Sequence, residues 1–235
     1  MSKNKMCDTV VVIMTRTLNG ARGPKRRLRN VIPRVTDRRQ LHAAFLTDIV
    51  TACRSLPDIT LRVAHTPDGD TGIFRTLGLS NHELLLQRGN NLGTRERNVF
   101  MDLFETGFSK VVMIGSDIPT LPSPHVIEAF RQIEALSVVL GPATDGGYYL
   151  MGLCKPEKNG RVPDLFDEVR WSTADTLEDT VRLAHSAGIT VKYVSPWYDV
   201  DTKDDLERLR RDLKSSAHAL RAPETTSTLR TIFGS

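Results

Sequence analysis

The 235-residue sequence predicts a single α/β domain on a mainly parallel central sheet flanked by helices, an expectation carried by three observations. Short β-branched runs alternate along the chain with segments whose apolar residues recur at helical spacing. The run Val10–Met14 and the apolar part of Lys110–Ile114 are continuous, as in strands buried on both faces. Hydrophobic residues make up 40% of the chain and charged ones 26%, which supports a sizeable core and excludes a disordered or fibrous class.

Taken in order, Val10–Met14 reads as the first buried strand, and Thr15–Pro24 as a loop carrying Asn19, Gly20, Gly23 and Pro24. Leu41, Phe45, Ile49, Ala52 and Leu56 predict a helix from about Arg38 to Leu56, ended by Pro57-Asp58. Ile59–His65 and Glu83–Arg88 read as strands, and residues 94–106 as a helix with Val99, Leu103 and Phe104 inward, stopped at Gly107. Lys110–Ile114 is the most apolar strand of the middle, followed by a helix over Val126–Leu136 and a strand over Val138–Leu140. Tyr148–Leu153 is extended, Ser172–Ala187 a helix closed by Gly188, Ile189–Val194 a strand, and Asp204–Leu213 a helix with Leu206, Leu209 and Leu213 on one face. The chain divides into a domain over 1–214 and a weakly patterned tail over 215–235, whose Leu229, Ile232 and Phe233 predict that its end docks. There is no internal repeat.

No apolar run approaches the roughly 20 residues of a membrane span, and Val10–Met14 is too short for a secretory core, so the expectation is a cytoplasmic protein. Cys7, Cys53 and Cys154 are odd in number and far apart, which fits reduced thiols rather than a disulfide framework or metal site. Net charge is +4, but it is unevenly placed: between residues 16 and 39, Arg16, Arg22, Arg26, Arg27, Arg29, Arg34, Arg38, Arg39 and Lys25 face Asp37 alone. That stretch carries +8 and the remainder −4. An anionic partner follows, either nucleic acid or a phosphorylated small molecule.

Four motifs could carry chemistry. The first, Gly23-Pro24-Lys25-Arg26-Arg27-Leu28, follows the first strand, where α/β sheets bind nucleotides. It is neither a P-loop nor Gly-x-Gly-x-x-Gly, and composition alone favours a solvated basic stretch or a nucleic-acid patch. The second, Gly115-Ser116-Asp117-Ile118-Pro119-Thr120-Leu121, puts a carboxylate at a central strand tip, where a hard cation would want it, although Asp-x-Pro is also a turn signal. The third, Gly141-Pro142-Ala143-Thr144-Asp145-Gly146-Gly147-Tyr148-Tyr149-Leu150, permits a close backbone approach to a ligand; taken alone, Asp-Gly more often marks a plain turn. In the fourth, Tyr198 to Leu206, a capping box explains Thr202 and Asp205 but not Asp199 and Asp201, which project to one side, so that either could be a second metal carboxylate opposite Asp117. Trp171-Ser172-Thr173 reads first as a helix N-cap, with Asp175 the partner of Ser172, and second as a ligand site.

In this order the blocks resemble the bacterial glycosyltransferase-like proteins of the GT-A (nucleotide-diphospho-sugar transferase) superfamily, relatives of the 2-phospholactate guanylyltransferases and molybdenum-cofactor nucleotidyltransferases. The resemblance spans about residues 9–213, with Asp-Gly-Gly-Tyr-Tyr-Leu its most specific part. It implies a Rossmann-like GT-A domain in which Lys25, Arg27 and Asp117 are catalytic and Asp117 and Asp201 hold Mg²⁺ or Mn²⁺. Thr15, Arg16, Gly23, Lys25, Arg27 and Ser116 would meet the nucleotide, together with Gln87, Gly89 and Gly93 of a further block, Gln-x-Gly-x-x-Leu-Gly-x-Arg. Arg95, Asp145, Gly146, Gly147, Trp171, Ser172 and Thr173 would line the acceptor side. The chain departs from the pattern at Arg26, where Thr is usual, and in the extra Arg of that loop.

Metal-dependent glycosyltransferases of this superfamily usually carry Asp-x-Asp after the central strand; here it is Asp117-Ile118-Pro119. A single strand-tip Asp with a late Asp looks more like the nucleotidyltransferases. The expected reaction is attack of a small anionic acceptor on a nucleoside triphosphate with release of pyrophosphate; the alternative is glycosyl transfer from a nucleotide-sugar. Nucleic-acid binding is disfavoured, because residues 16–39 contain no aromatic side chain.

Overall fold

The computed structural model describes residues 8–20, 23–69, 71–156 and 162–234; Cys7 and Arg22 lie outside them. The strands are β1 (Thr9–Thr15), β2 (Thr60–His65), β3 (Leu84–Leu86), β4 (Lys110–Gly115), β5 (Ser137–Pro142), β6 (Tyr148–Cys154) and β7 (Thr190–Tyr193). Among the described residues they form one sheet in the order β3-β2-β1-β4-β6-β5-β7. All neighbours are parallel except that β6 runs antiparallel to both β4 and β5. The reason is local: residues 143–147 are too few for a crossover, so β5 and β6 close as a hairpin.

The helices are α1 (Val35–Arg54), α2 (Gly72–Thr76), α3 (Leu92–Glu105), α4 (Ser123–Gln132), α5 (Thr176–Ser186), α6 (Lys203–Asp212), α7 (Ser216–Arg221) and α8 (Pro223–Phe233). Strand side chains alternate between two cores. Val11, Ile13, Val112 and Ile114 face Leu46, Ile49, Phe74, Val126 and Ala129 of α1, α2 and α4. Val10, Val12, Val111 and Met113 face Val99, Phe100, Leu103 and Ala184 of α3 and α5. A third cluster joins Leu28 and Ile32 to Leu41 and Phe45 of α1, Tyr198, Val200, Leu206 and Leu209.

Several expected boundaries shift for identifiable reasons. β3 loses its first residue because Asn81–Glu83 form a 3₁₀ turn boxed by Ser80 and Glu83. Helix α3 starts earlier because the Asn91 side chain accepts from the Thr94 amide. Helix α5 begins at Thr176 and not at Ser172, which takes a positive φ of 62° and so cannot be its cap. The expected Thr202–Asp205 capping box is present at α6. The tail, expected to be weakly patterned, is helical, and α8 docks on α1: Asp48 accepts from the amides of Glu224 (3.1 Å) and Thr225 (2.8 Å), and Leu229 enters the third cluster. Among the described residues, no helix is long and apolar enough to cross a membrane.

Candidate active site

The carboxyl ends of β1 and β4 lie side by side where the sheet order reverses, the position at which open α/β sheets bind ligands. Three loops converge there. The loop after β1 is pinned by Leu28 and Ile32 in the third cluster. Asp117 follows β4, and the segment 199–201 is held by buried Val200, whose amide donates to the Asp117 carbonyl (2.9 Å).

Lys25 ties these loops together. Its backbone occupies the left-handed region (φ 53°, ψ 42°), a strained conformation for a non-glycine residue that the surroundings must enforce. Its side chain is only 2% exposed; Nζ donates to the Val200 carbonyl (2.7 Å) and lies 2.9 Å from Asp117 Oδ1 and 3.7 Å from Asp201 Oδ1, and 4.7 Å from the Phe45 ring centre. This ammonium, expected to meet phosphate, is directed at three protein oxygens. Arg27, 62% exposed, approaches Asp201 Oδ2 at 3.4 Å and remains open to solvent.

The carboxylates respond to this setting. Burial opposes charge on Asp117, but Lys25 and His42 beside it hold the carboxyl well below the usual range. Asp201 is pushed up by burial and by Asp117, against the pull of Lys25 and Arg27. Burial, Asp117, Asp145 and Asp201 together push Asp199 up to about 8. Such a surplus of carboxylate suits a hard cation, which takes oxygen ligands and often one or two carboxylates plus substrate phosphates. Asp117 and Asp201, 33% and 39% exposed at the crevice, are the pair that could hold one. Among the described residues no group of three or more His, Cys, Asp or Glu forms a ready metal centre.

Two adjoining cavities open here, of about 530 Å³ and 310 Å³. The first collects Thr15, Arg16, Gly23, Lys25, Arg27, Gln87, Arg95, Ser116, Asp117, Ser172, Asp199 and Asp201 of the expected site residues. The second is lined by Arg27, Asp145, Gly147, Trp171, Ser172, Thr173, Asp199 and Asp201. Gly89, Gly93 and Gly146 line neither. Gly93 serves packing, since a Cβ there would fall 2.6 Å from the Phe166 carbonyl and 2.7 Å from the Trp171 indole. Gly146 (φ 90°) abuts the backbone of Ala174, where a Cβ has no room.

The basic stretch divides in the fold. Arg16, Arg26 and Arg27 line the first cavity, whereas Arg38 is buried, its guanidinium donating to the carbonyls of Ile32 and Pro33 (2.7 Å each). Among its described lining residues, the second cavity sets Glu96, Asp145, Asp199 and Asp201 against Arg27 alone. For the anionic acceptor expected from the Arg density, that cavity offers Arg27 as its one cation among the described lining residues.

Sequence reasoning passed over His42 and Glu96. His42 Nε2 lies 3.2 Å from Thr15 Oγ1, and its Nδ1 3.6 Å from Asp117 Oδ1. Glu96 is buried, accepts from Tyr148 Oη at 2.7 Å, and is pushed up by burial to about 7 despite that hydrogen bond. Both residues had a signal: each is a titratable group on an otherwise apolar stripe, His42 with Leu46, Ile49 and Cys53, and Glu96 with Val99, Phe100 and Leu103.

Comparison with known proteins adds context. Residues 49–173 match the model of a family described as "Uncharacterized protein conserved in bacteria (DUF2064)". A structure from Desulfovibrio desulfuricans G20, described as a candidate nucleotide-diphospho-sugar transferase, is 30% identical, with a TM-score of 0.79 over 97% of this chain and 99% of that one. A 4-diphosphocytidyl-2C-methyl-D-erythritol synthase from Anaerococcus prevotii DSM 20548 is 12% identical, with a TM-score of 0.53 over 91% and 100% of the two chains. A cytidylyltransferase from Leptospira borgpetersenii serovar Hardjo-bovis is also 12% identical, with a TM-score of 0.51 over 96% of each chain. The last two likenesses are of fold. No protein of curated function matches the chain.

Proposed function

For this chain, which belongs to the bacterial DUF2064 family, we propose a nucleotide-utilising transferase that moves a nucleotidyl group from a nucleoside triphosphate to a small acceptor and releases pyrophosphate. The observation that carries this reading is the first cavity: Arg16, Arg26, Arg27 and Arg95 surround a crevice whose floor holds Asp117 and Asp201 side by side. Guanidinium forks match phosphate oxygens, and several at one crevice suit a polyphosphate.

In this mechanism Arg16, Arg26 and Arg27 orient the triphosphate and spread the charge that develops on it. Lys25 keeps Asp117 and Asp201 apart and aligned through its contacts with both and with the Val200 carbonyl. Bound Mg²⁺ or Mn²⁺, held by Asp117 and Asp201, would supply further charge neutralisation at the phosphates.

A second reading, glycosyl transfer from a nucleotide-sugar, is favoured by one observation, the 30% identical relative described as a candidate nucleotide-diphospho-sugar transferase. The two separate by ligand and product. Nucleoside triphosphates and nucleotide-sugars are screened with Mg²⁺ by thermal shift; the cognate one at about 100 times its Kd should add roughly 2.7 kcal/mol of stability. Nucleotidyl transfer is supported by a triphosphate response and pyrophosphate release. Free nucleoside diphosphate and a glycosylated product, formed with no triphosphate present, would replace it with the second reading.

A further inference from the structure

Glu96 stands in the wall shared by the two cavities. It is 7% exposed; its Oε2 accepts from Tyr148 Oη, and among the described residues its Oε1 has no hydrogen-bond partner. Tyr148 is fixed in turn, edge-on to Trp171 with ring centres 6.3 Å apart, and Trp171 is seated on the space that Gly93 leaves. A carboxylate oxygen without a protein partner among the described residues, on a side chain that lines both cavities, points to a ligand. The second cavity adds Asp145, Asp199 and Asp201 to its walls and offers one cation, Arg27.

We propose that the second cavity takes the acceptor as an uncharged polyhydroxyl compound of monosaccharide size, and that Glu96 Oε1 receives the proton of its attacking hydroxyl. The proposal rests on the transferase reading above and names its acceptor class. Carboxylates accept hydrogen bonds from hydroxyl donors, and the aromatic faces and edges of Trp171 and Tyr148 pack against the C–H surface of a ring. A volume of 310 Å³ lies at the small end of ligand cavities, about 300 to 1,000 Å³. A phosphate- or carboxylate-bearing acceptor would meet four carboxyl groups there and, among the described lining residues, a single cation, Arg27. An amino alcohol, whose ammonium would suit the carboxylates while its hydroxyl attacks, is the competing class and enters the test as ethanolamine. In the step itself, the acceptor oxygen bonds to the α-phosphorus as its proton passes to Glu96 Oε1. The bond from that phosphorus to the bridging oxygen breaks, and its electron pair leaves with pyrophosphate. The Tyr148 hydrogen bond to Oε2 fixes the carboxylate plane and leaves Oε1 to do this.

The test uses the full chain and defined probes: myo-inositol, D-glucose and ribitol, a monophosphate of each, and ethanolamine, with binding followed by calorimetry and saturation-transfer NMR. At least one polyol should bind about tenfold or more tighter than its monophosphate, and Glu96→Gln and Asp145→Asn should each weaken it about tenfold. With that polyol and the cognate triphosphate, Glu96→Gln should lower kcat for pyrophosphate release about a hundredfold beyond its effect on binding. A monophosphate or ethanolamine binding tighter than every polyol, no polyol binding, or both variants binding and turning over as the wild type would overturn the proposal. Nucleotide binding is measured separately in the wild type. If triphosphate binds and no polyol does, the acceptor assignment falls and the transferase reading stands. If polyols bind as expected and no nucleotide does, the assignment of the cavity holds and the transferase reading falls.

Discussion

Beside α5, the Asp179 carboxylate accepts the Arg170 amide (3.0 Å) and Nε (2.8 Å) on one oxygen and Nη2 (2.9 Å) on the other; at the crevice, Asp199 accepts no hydrogen bond from the described residues. The consequences run in opposite directions. The Arg170 side chain and amide hold Asp179 well below the usual carboxylate range, while burial and neighbouring carboxylates push Asp199 up to about 8. Asp48 belongs with Asp179, both its oxygens taken by amides of α8, and Glu96 with Asp199, one oxygen unused. The fold can satisfy a buried carboxylate and does so away from the crevice. Where it leaves one short of partners, the missing partner is expected from outside the chain.

The sharpest way to break this contrast is to neutralise one carboxylate in the crevice and one away from it. Asp117→Asn should cut metal-dependent turnover by at least about a thousandfold, some 4 kcal/mol of barrier, and, because it breaks the ion pair with buried Lys25, should lower Tm as well. Asp179→Asn should lower Tm and leave turnover intact. Pyrophosphate assays and calorimetric melts on both variants settle it, and an exchange of the two outcomes would sink the division.

Lys25 sits between the two classes, structural in its contacts and placed in the crevice. Lys25→Met leaves Asp117 and Asp201 close together without their buried cation. Breaking such a pair costs about 3 to 5 kcal/mol when both partners are buried; with these aspartates about one-third exposed, about 3 to 4 kcal/mol is expected in urea unfolding. A cost below 1 kcal/mol would mean that the ammonium is held for phosphate and not for the fold.

These three groups also mark how far the sequence could be read. β1 and β4 were legible because Val10–Met14 and Val111–Ile114 are continuously apolar, and the motif order placed Asp117 and Asp201 in one crevice. What was not legible depends on distance in the chain. The Lys25 ion pairs reach residues 92 and 176 positions away, and no local spacing records that its ammonium turns inward. The antiparallel placement of β6 was readable only through the shortness of 143–147, and the helical tail only through Leu229, Ile232 and Phe233. Glu96 was visible as a carboxylate on an apolar stripe, yet its two cavities come from loops far away in sequence.

Glu96 sharpens the contrast through pH. Burial raises its carboxyl from 4.5 to about 7 in the folded protein. Between these values the folded state binds a proton that the unfolded state releases, so stability is fully present below about pH 4.5 and lost as pH rises to about 7. The loss amounts to about 3 kcal/mol. Glu96→Gln should remove it, so the variant gains on the wild type from pH 4.5 to pH 8 in paired urea titrations. Parallel curves would mean that Glu96 is satisfied after all.

The smallest effect is expected at Asp48, the satisfied carboxylate farthest in kind from the crevice. Its oxygens cap the amides of Glu224 and Thr225, two of the donors that every helix start leaves without an internal partner. Asp48→Ala removes that cap, which by itself costs about 1 kcal/mol. Part is returned, because burial raises the Asp48 carboxyl and its removal ends that cost. Leu229 remains in the third cluster, so α8 should stay docked while its first turn loosens. Hydrogen exchange should therefore quicken at Glu224 and Thr225 more than at Leu229, with a net stability loss of about 1 kcal/mol or less. Turnover should not change, since no residue of α8 lines either cavity. If turnover fell along with α8 protection, the tail would belong to the working site, and a satisfied carboxylate would be serving function after all.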